Sequence, residues 1–199
     1  ALNMADQSIH EEGHETQVAS IIASQQLLAD KPMVFGVSYK PDKIKILPIQ
    51  FYTENSGFSD SRQAEATNYA VSMNVDLITA SYVDYDQKQI VPDAYDRMLN
   101  HGIEIVAGAG NNSKTFAYYP CAYDRAICVG GLYDVNNEPV FWSGSTDGYN
   151  DFVAYSYSLN LINKHGQLSE PSSGTSYSTP QIAGAIAKIQ SFTGNFDRD

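Results

Sequence analysis

From Asp76 to Gly131 the chain alternates short apolar runs with a helix-spaced stretch, and that alternation restricts it to a small set of architectures. Asp76-Leu77-Ile78-Thr79-Ala80-Ser81 has the length and apolar content of a buried strand. So does Gly102-Ile103-Glu104-Ile105-Val106-Ala107-Gly108, which runs into a Gly-Asn turn at Gly110-Asn111. Ala126-Ile127-Cys128-Val129-Gly130-Gly131 reads as another strand, and Lys43 to Ile49 as one more. Between them, Ala64, Ala66, Tyr69, Ala70 and Met73 recur at helical spacing over Ser61 to Met73, and a second helix is expected over about Pro92 to Asn100. Strands separated by helices pair in parallel through right-handed crossovers. The expected fold is therefore α/β: a compact three-layer helix-sheet-helix sandwich with a mostly parallel sheet and its site at the carboxyl ends of the strands. No Pro/Gly/Ser-rich linker, repeat or low-complexity run divides the 199 residues, so one domain over 1–199 is expected.

Chemistry concentrates near the C-terminus. Ser173-Gly174-Thr175-Ser176-Tyr177-Ser178-Thr179-Pro180 leads directly into the small-residue helical run Gln181-Ile182-Ala183-Gly184-Ala185-Ile186-Ala187. A serine between a Gly-Thr turn and the first turn of a helix sits in the positive end of the helix dipole, which favours developing negative charge. Taken alone, Ser176 or Thr175 would be read as a helix cap with Pro180 in the first turn. A second segment changes the balance: Gly13-His14-Glu15-Thr16-Gln17-Val18-Ala19 opens another helix with a histidine at its start. A serine hydroxyl is a weak nucleophile at neutral pH without such a base.

Together these segments resemble the motifs of the subtilases, the subtilisin-like serine peptidases: Gly-Thr-Ser-x-Ala-x-Pro around the nucleophile, with Ser178 in place of alanine, and His-Gly-Thr-x-Val-Ala around the base, with Glu15 in place of glycine. The resemblance extends over nearly the whole chain and implies a subtilisin-like fold and an Asp-His-Ser triad. Ser176 is then the nucleophile and His14 the general base. Asp6, at the tip of the stretch Ala1-Leu2-Asn3-Met4-Ala5-Asp6, is the carboxylate that orients the imidazole. Gln7-Ser8 follows it where relatives have Ser/Thr-Gly, and the spacing to His14 is short. Gly108-Ala109-Gly110-Asn111 matches the family's oxyanion strand, making the Asn111 amide a donor to the tetrahedral intermediate beside the backbone N–H of Ser176. An extended peptide would pair along Ser81, Tyr82 and Val83 on one side and Ala107 and Gly108 on the other. Relatives have Ser-Leu-Gly in the first stretch, so Val83 places a branched side chain where a substrate backbone approaches and narrows the cleft.

The function expected from the resemblance is a serine endopeptidase acting on polypeptides through an acyl-enzyme on Ser176. Two other readings stay open. One is a catalytically silent, subtilase-like binding or regulatory module, favoured by Glu15 and Gln7-Ser8. The other is a different serine hydrolase, against which the order acid, base, nucleophile and the absence of Gly-x-Ser-x-Gly both count. A net charge of −11 argues against nucleic acid or an anionic membrane as partner. No apolar run approaches a membrane span, and neither a secretory signal nor an inhibitory pro-segment is visible. No cofactor is expected. Structural calcium, which many subtilases use, has candidates in the loop of Asp147, Asn150 and Asp151 and in that of Asp84 and Asp86, although no EF-hand spacing is present and solvated carboxylates are the plainer reading.

Cys121 and Cys128 would be more than about 20 Å apart on an extended chain, so a disulfide between them requires the chain to fold back, for which Tyr123-Asp124-Arg125 supplies a turn. Two buried thiols are the alternative. The pair leans toward an exported protein.

Overall fold

Ile105 and Ala107 look out of one face of a central strand and Val106 out of the other, and all three are wholly buried, so this strand has a layer on each side. The computed structural model describes residues 13–26, 34–38, 44–52 and 58–193. Within them the order is α1 (His14–Ala23), β1 (Gln25–Gln26), β2 (Val34–Phe35), α2 (Asp60–Ser72), β3 (Leu77–Ala80), α3 (Ile90–Asn100), β4 (Glu104–Gly108), β5 (Ala126–Val135), β6 (Glu138–Phe141), β7 (Phe152–Tyr155) and α4 (Thr175–Thr193). β3, β4, β5 and β7 pair in parallel, and β6 runs antiparallel to the far half of β5. β1 and β2 form a separate antiparallel pair.

α2 and α3 pack against each other on one face, where Ile78, Ala80, Val91, Tyr95, Met98, Ile105 and Ala107 make the larger core. α4 lies across β3, β4, β5 and β7 on the other face, its Ala183 clustering with Val106 and Val129 of the sheet, and α1 packs on α4. The fold is thus the mostly parallel three-layer sandwich expected, with the starts of α1 and α4 on the same side. Each fully buried Val or Ile contributes roughly 1.5–3 kcal/mol through water exclusion.

Local sequence explains the helix boundaries. Ser59 caps α2, its hydroxyl accepting from the Arg62 N–H. α3 starts at Ile90 rather than Pro92, because a proline in the first turn gives up an N–H that has no helical partner anyway. The strand expected over Lys43 to Ile49 is corrected: Lys43 lies outside the described residues, and 44–50 contain a bridge at Ile49 but no strand. Lys45 and Ile46 face solvent there, and Pro48 has no N–H for a ladder. Cys121 and Cys128 form a disulfide, Cα atoms 5.0 Å apart, closed by turns in which Tyr123 N–H donates to Pro120 and Ala126 N–H to Tyr123.

Candidate active site

The first turn of α4 sits where β3 and β4 end. Gly108 closes β4, and a Cβ there would lie 3.0 Å from Thr179 Oγ1 and 3.3 Å from Thr175 Oγ1, so the glycine lets the helix approach closely where a larger residue would press it away by a few tenths of an ångström. Pro180 lies inside α4 and lacks the N–H that would reach back four residues, which deprives the Ser176 carbonyl of its helical donor. Ser81, the residue after β3, supplies the replacement: its buried hydroxyl donates to Ser176 O at 2.9 Å. In return the Ser176 hydroxyl faces the Ser81 carbonyl at 3.4 Å, a long contact that a rotation about χ1 would release. The nucleophile candidate is half-buried at a helix start, held by its backbone with its hydroxyl loosely engaged.

Asn111 is exposed, but its side chain is locked. Its Oδ1 accepts from the Thr175 N–H at 2.8 Å and from Thr175 Oγ1 at 3.0 Å, while Thr175 Oγ1 itself accepts from the Gly110 N–H at 3.1 Å. With the oxygen fixed, the amide nitrogen has one remaining direction. It lies 3.1 Å from where a Cβ on Gly174 would be, against the turn that leads into Ser176. Thr175, absent from the expected site list, is therefore the residue that orients Asn111. Its signal was already visible in the Gly-Thr-Ser run.

His14 is the first residue of α1 and only 1% exposed. α1 is tied to the nucleophile's helix by Tyr177, whose hydroxyl donates to Gln17 Oε1 at 2.8 Å and whose ring lies 5.7 Å from the His14 ring. The base candidate is thus brought against the residue next to Ser176. Glu15 follows it in the first turn, half-exposed, where a carboxylate suits the helix dipole. Asp6 lies outside the described residues.

The residues expected to flank a substrate divide. Val83 is half-buried at the cleft, and Gly108 lies under the α4 turn. Ala107 is inside the sheet, paired with Ala80 on one side and Cys128 on the other. Tyr82 turns away into the larger core, where its hydroxyl accepts from Gln63 Nε2 at 2.9 Å and meets the Tyr95 hydroxyl. Gln87 connects this group to Tyr123 and Asp84. Burial, then the adjacent Tyr95, pushes the Tyr82 phenol well above its ordinary pKa, and partial burial raises the Asp84 carboxyl.

Two of the acidic residues considered for calcium have backbone N–H partners. Asp147 accepts from the Gly148 N–H and Asp151 from the Cys128 N–H, and among the described residues no cluster of three or more His, Cys, Asp or Glu side chains suits a metal. No described helix is long and apolar enough to cross a membrane.

Comparison with known proteins matches residues 3–199 to the subtilase family. A thermophilic serine proteinase of Bacillus sp. (strain AK1) is 26% identical over 178 residues, covering 89% of this chain and 42% of its own. Subtilisin DY of Bacillus licheniformis is 28% identical over 184 residues, covering 90% of this chain and 64% of its own. The chain thus spans between about two fifths and two thirds of the length of these relatives. Among solved structures, sphericase superposes with a TM-score of 0.74 at 21% identity over 94% of this chain and 66% of that one. A cold-adapted subtilisin-like serine proteinase gives 0.75 at 19% identity, over 92% and 62%. At such identities the superpositions speak for the fold.

Proposed function

The chain belongs to the subtilase family, and on that premise we propose that 1–199 forms one catalytic domain of a serine endopeptidase that cleaves polypeptides through an acyl-enzyme on Ser176. In this reading His14 takes the Ser176 proton as Oγ attacks the scissile carbonyl, then returns it to the leaving amine. Asp6 holds the imidazole tautomer and stabilises the imidazolium. The carbonyl oxygen, negative in the tetrahedral intermediate, receives hydrogen bonds from Asn111 Nδ2 and the Ser176 N–H at the positive end of α4. Water then attacks the ester, with His14 acting as base again.

The observation that carries this reading is the Asn111 lock: an exposed amide whose oxygen is held by Thr175 at 2.8 and 3.0 Å and whose nitrogen is left beside the turn into Ser176. An ordinary turn asparagine has no reason to be anchored on the residue before a serine sixty-odd positions away. A donor that must already be in place when charge develops does have one.

Treatment of the folded chain with an alkyl fluorophosphonate tests the proposal. We expect one stable adduct, mapping to Ser176, because only a base-activated serine reacts at a useful rate. A different labelled serine would refute the assignment, and no labelling would leave the silent binding module as the better account.

A further inference from the structure

Ser176 lies between the ends of two neighbouring parallel strands. Its hydroxyl faces Ser81, one residue past β3, and Thr175 holds Asn111, three residues past β4. A carbonyl under attack by Ser176 would therefore sit where the extensions of these strands part, since their pairing ends at Ala80 and Ala107. The side chain next to that carbonyl has to enter the crevice between Ser81–Val83 and Ala109–Asn111, the place where open α/β sheets receive ligands.

In this chain the crevice is filled from within. A Cβ on Gly110 would meet Tyr118 Cδ2 at 3.3 Å, Val83 Cγ1 at 3.4 Å and Thr146 Oγ1 at 3.0 Å, so three side chains converge on the open face of the strand extension. Tyr118 is 3% exposed although it belongs to a loop. Tyr85 and Phe116, themselves 72% and 50% exposed, meet its ring in T-shaped contacts, each with its centroid 4.8 Å away. The Asn112 amide donates to its hydroxyl, and Asn112 Oδ1 in turn accepts from Thr146. The backbone beside it is fixed as well: Asp84 and Tyr119 exchange N–H···O bonds of 2.8 and 3.0 Å, tying the Val83 segment to the Tyr118 segment. This ring is a built stopper rather than a side chain waiting to swing aside.

Resting on the endopeptidase reading above, we propose that Tyr118, backed by Val83, closes the pocket for the residue that donates its carbonyl to Ser176, and so restricts cleavage to bonds that follow small residues such as glycine, alanine and serine. A bulky side chain at that position would have to displace a buried ring that is flanked by two aromatic neighbours and hydrogen-bonded at its tip. A protein interior resists such overpacking.

The test uses covalent capture, which needs one chemical event and no turnover. The chain is treated with an alkyl fluorophosphonate and, separately, with two peptidyl diphenyl phosphonates that differ only in an alanine-like or phenylalanine-like group beside the phosphorus. Adduct formation on Ser176 is followed by intact mass. We expect the alanine-like reagent to react about 10- to 100-fold faster than the phenylalanine-like one. Tyr118→Ala should shrink or invert that ratio, and Val83→Gly should move it the same way from the opposite wall. Equal rates on the native chain, or a ratio unchanged in both variants, would overturn this inference while leaving the enzyme reading intact. If Tyr118→Ala fails to show a cooperative thermal transition, Val83→Gly decides alone. No reaction with the small fluorophosphonate would remove the enzyme reading, and this inference with it.

Discussion

Asn111 joins two roles that substitution can separate, because its oxygen anchors Thr175 while its nitrogen faces the turn before Ser176. Asn111→Ala removes both. The loss of Oδ1 strips an acceptor from the Thr175 N–H, which lies at the start of α4 on a residue 2% exposed, and another from Thr175 Oγ1. A lost N-terminal cap costs about 1 kcal/mol and the second hydrogen bond about as much again. At roughly 2–4 °C per kcal/mol for a chain of this size, the melting temperature should fall by about 4–8 °C. Loss of one oxyanion donor should lower kcat by about 10² to 10³ with little change in substrate affinity. That catalytic scale was fixed on a subtilisin and is carried to this chain by kinship. Asn111→Asp separates the roles. It keeps the acceptor, and its charge suits the start of α4, so stability should hold or rise by a few tenths of a kcal/mol. It has no donor, and it places negative charge beside the developing oxyanion, so kcat should fall at least as far as in the alanine variant. Thermal unfolding and single-turnover acylation of a peptide p-nitroanilide read the two effects independently. If the aspartate variant melts as low as the alanine variant, the anchoring role is wrong; if it keeps its turnover, the donor role is wrong.

Three further outcomes follow from individual contacts. Tyr82→Phe leaves the buried Gln63 amide without its acceptor and the Tyr95 hydroxyl without its neighbour, so stability should drop by about 2 kcal/mol, or about 1 M in urea midpoint at a slope near 2 kcal/mol/M; a shift below a quarter of that would show the network to be slack. Asp84 has a folded pKa raised by partial burial, so its contribution is most favourable below the unfolded carboxylate pKa and is lost as pH rises through the folded one: Asp84→Asn should match the native melting temperature near pH 3 and exceed it near pH 7, and a variant that melts lower at neutrality would reverse the sign argued here. Asp6→Asn should preserve folding yet reduce kcat by about 10⁴, the scale known for the orienting aspartate of a trypsin-like triad; near-native turnover would show that another carboxylate orients His14.

What the sequence disclosed and what it hid follow from how each feature is encoded. β4 was legible because Ile103, Ile105, Val106 and Ala107 form a short, mostly apolar run bounded by Gly102 and Gly108 and interrupted by Glu104 alone, and α2 and α3 because their apolar residues recur at helical spacing. β6 and β7 were missed. Their residues are mostly exposed, and they are strands only because β5 offers them partners. The opposite error befell Lys43 to Ile49, whose apolar residues look like a strand but include exposed positions. At the site, Ser176, His14 and Asn111 stand in local motifs and could be singled out one by one. Ser81's support of the Ser176 carbonyl could not, because it answers an N–H missing at Pro180, ninety-nine positions away. Tyr118 reaches Gly110 only through the chain's return ahead of the disulfide turn, which leaves no linear trace. Tyr82 was expected on the cleft wall, and the partners that draw it inward, Gln63 and Tyr95, lie on two different helices.

Alternation along the extended segment after β3 joins these observations into one design. Successive side chains of an extended chain point to opposite sides, so with Tyr82 anchored in the α2–α3 layer, Ser81 and Val83 must both face the α4 side and the cleft. Ser81 then supports the nucleophile's backbone and Val83 narrows the crevice, and both depend on an anchor that touches neither. Selectivity and stability are therefore separable by choice of residue. Trimming Val83 or Tyr118 removes volume at the crevice and leaves the tyrosine anchor intact, so its cost should be that of a local cavity. Loosening Tyr82 frees the whole segment, and the phosphonate preference and the position of the Ser81 hydroxyl should degrade together. A Tyr82→Phe protein that loses stability but keeps the full alanine-over-phenylalanine preference would show that the Asp84–Tyr119 bridge alone fixes the wall.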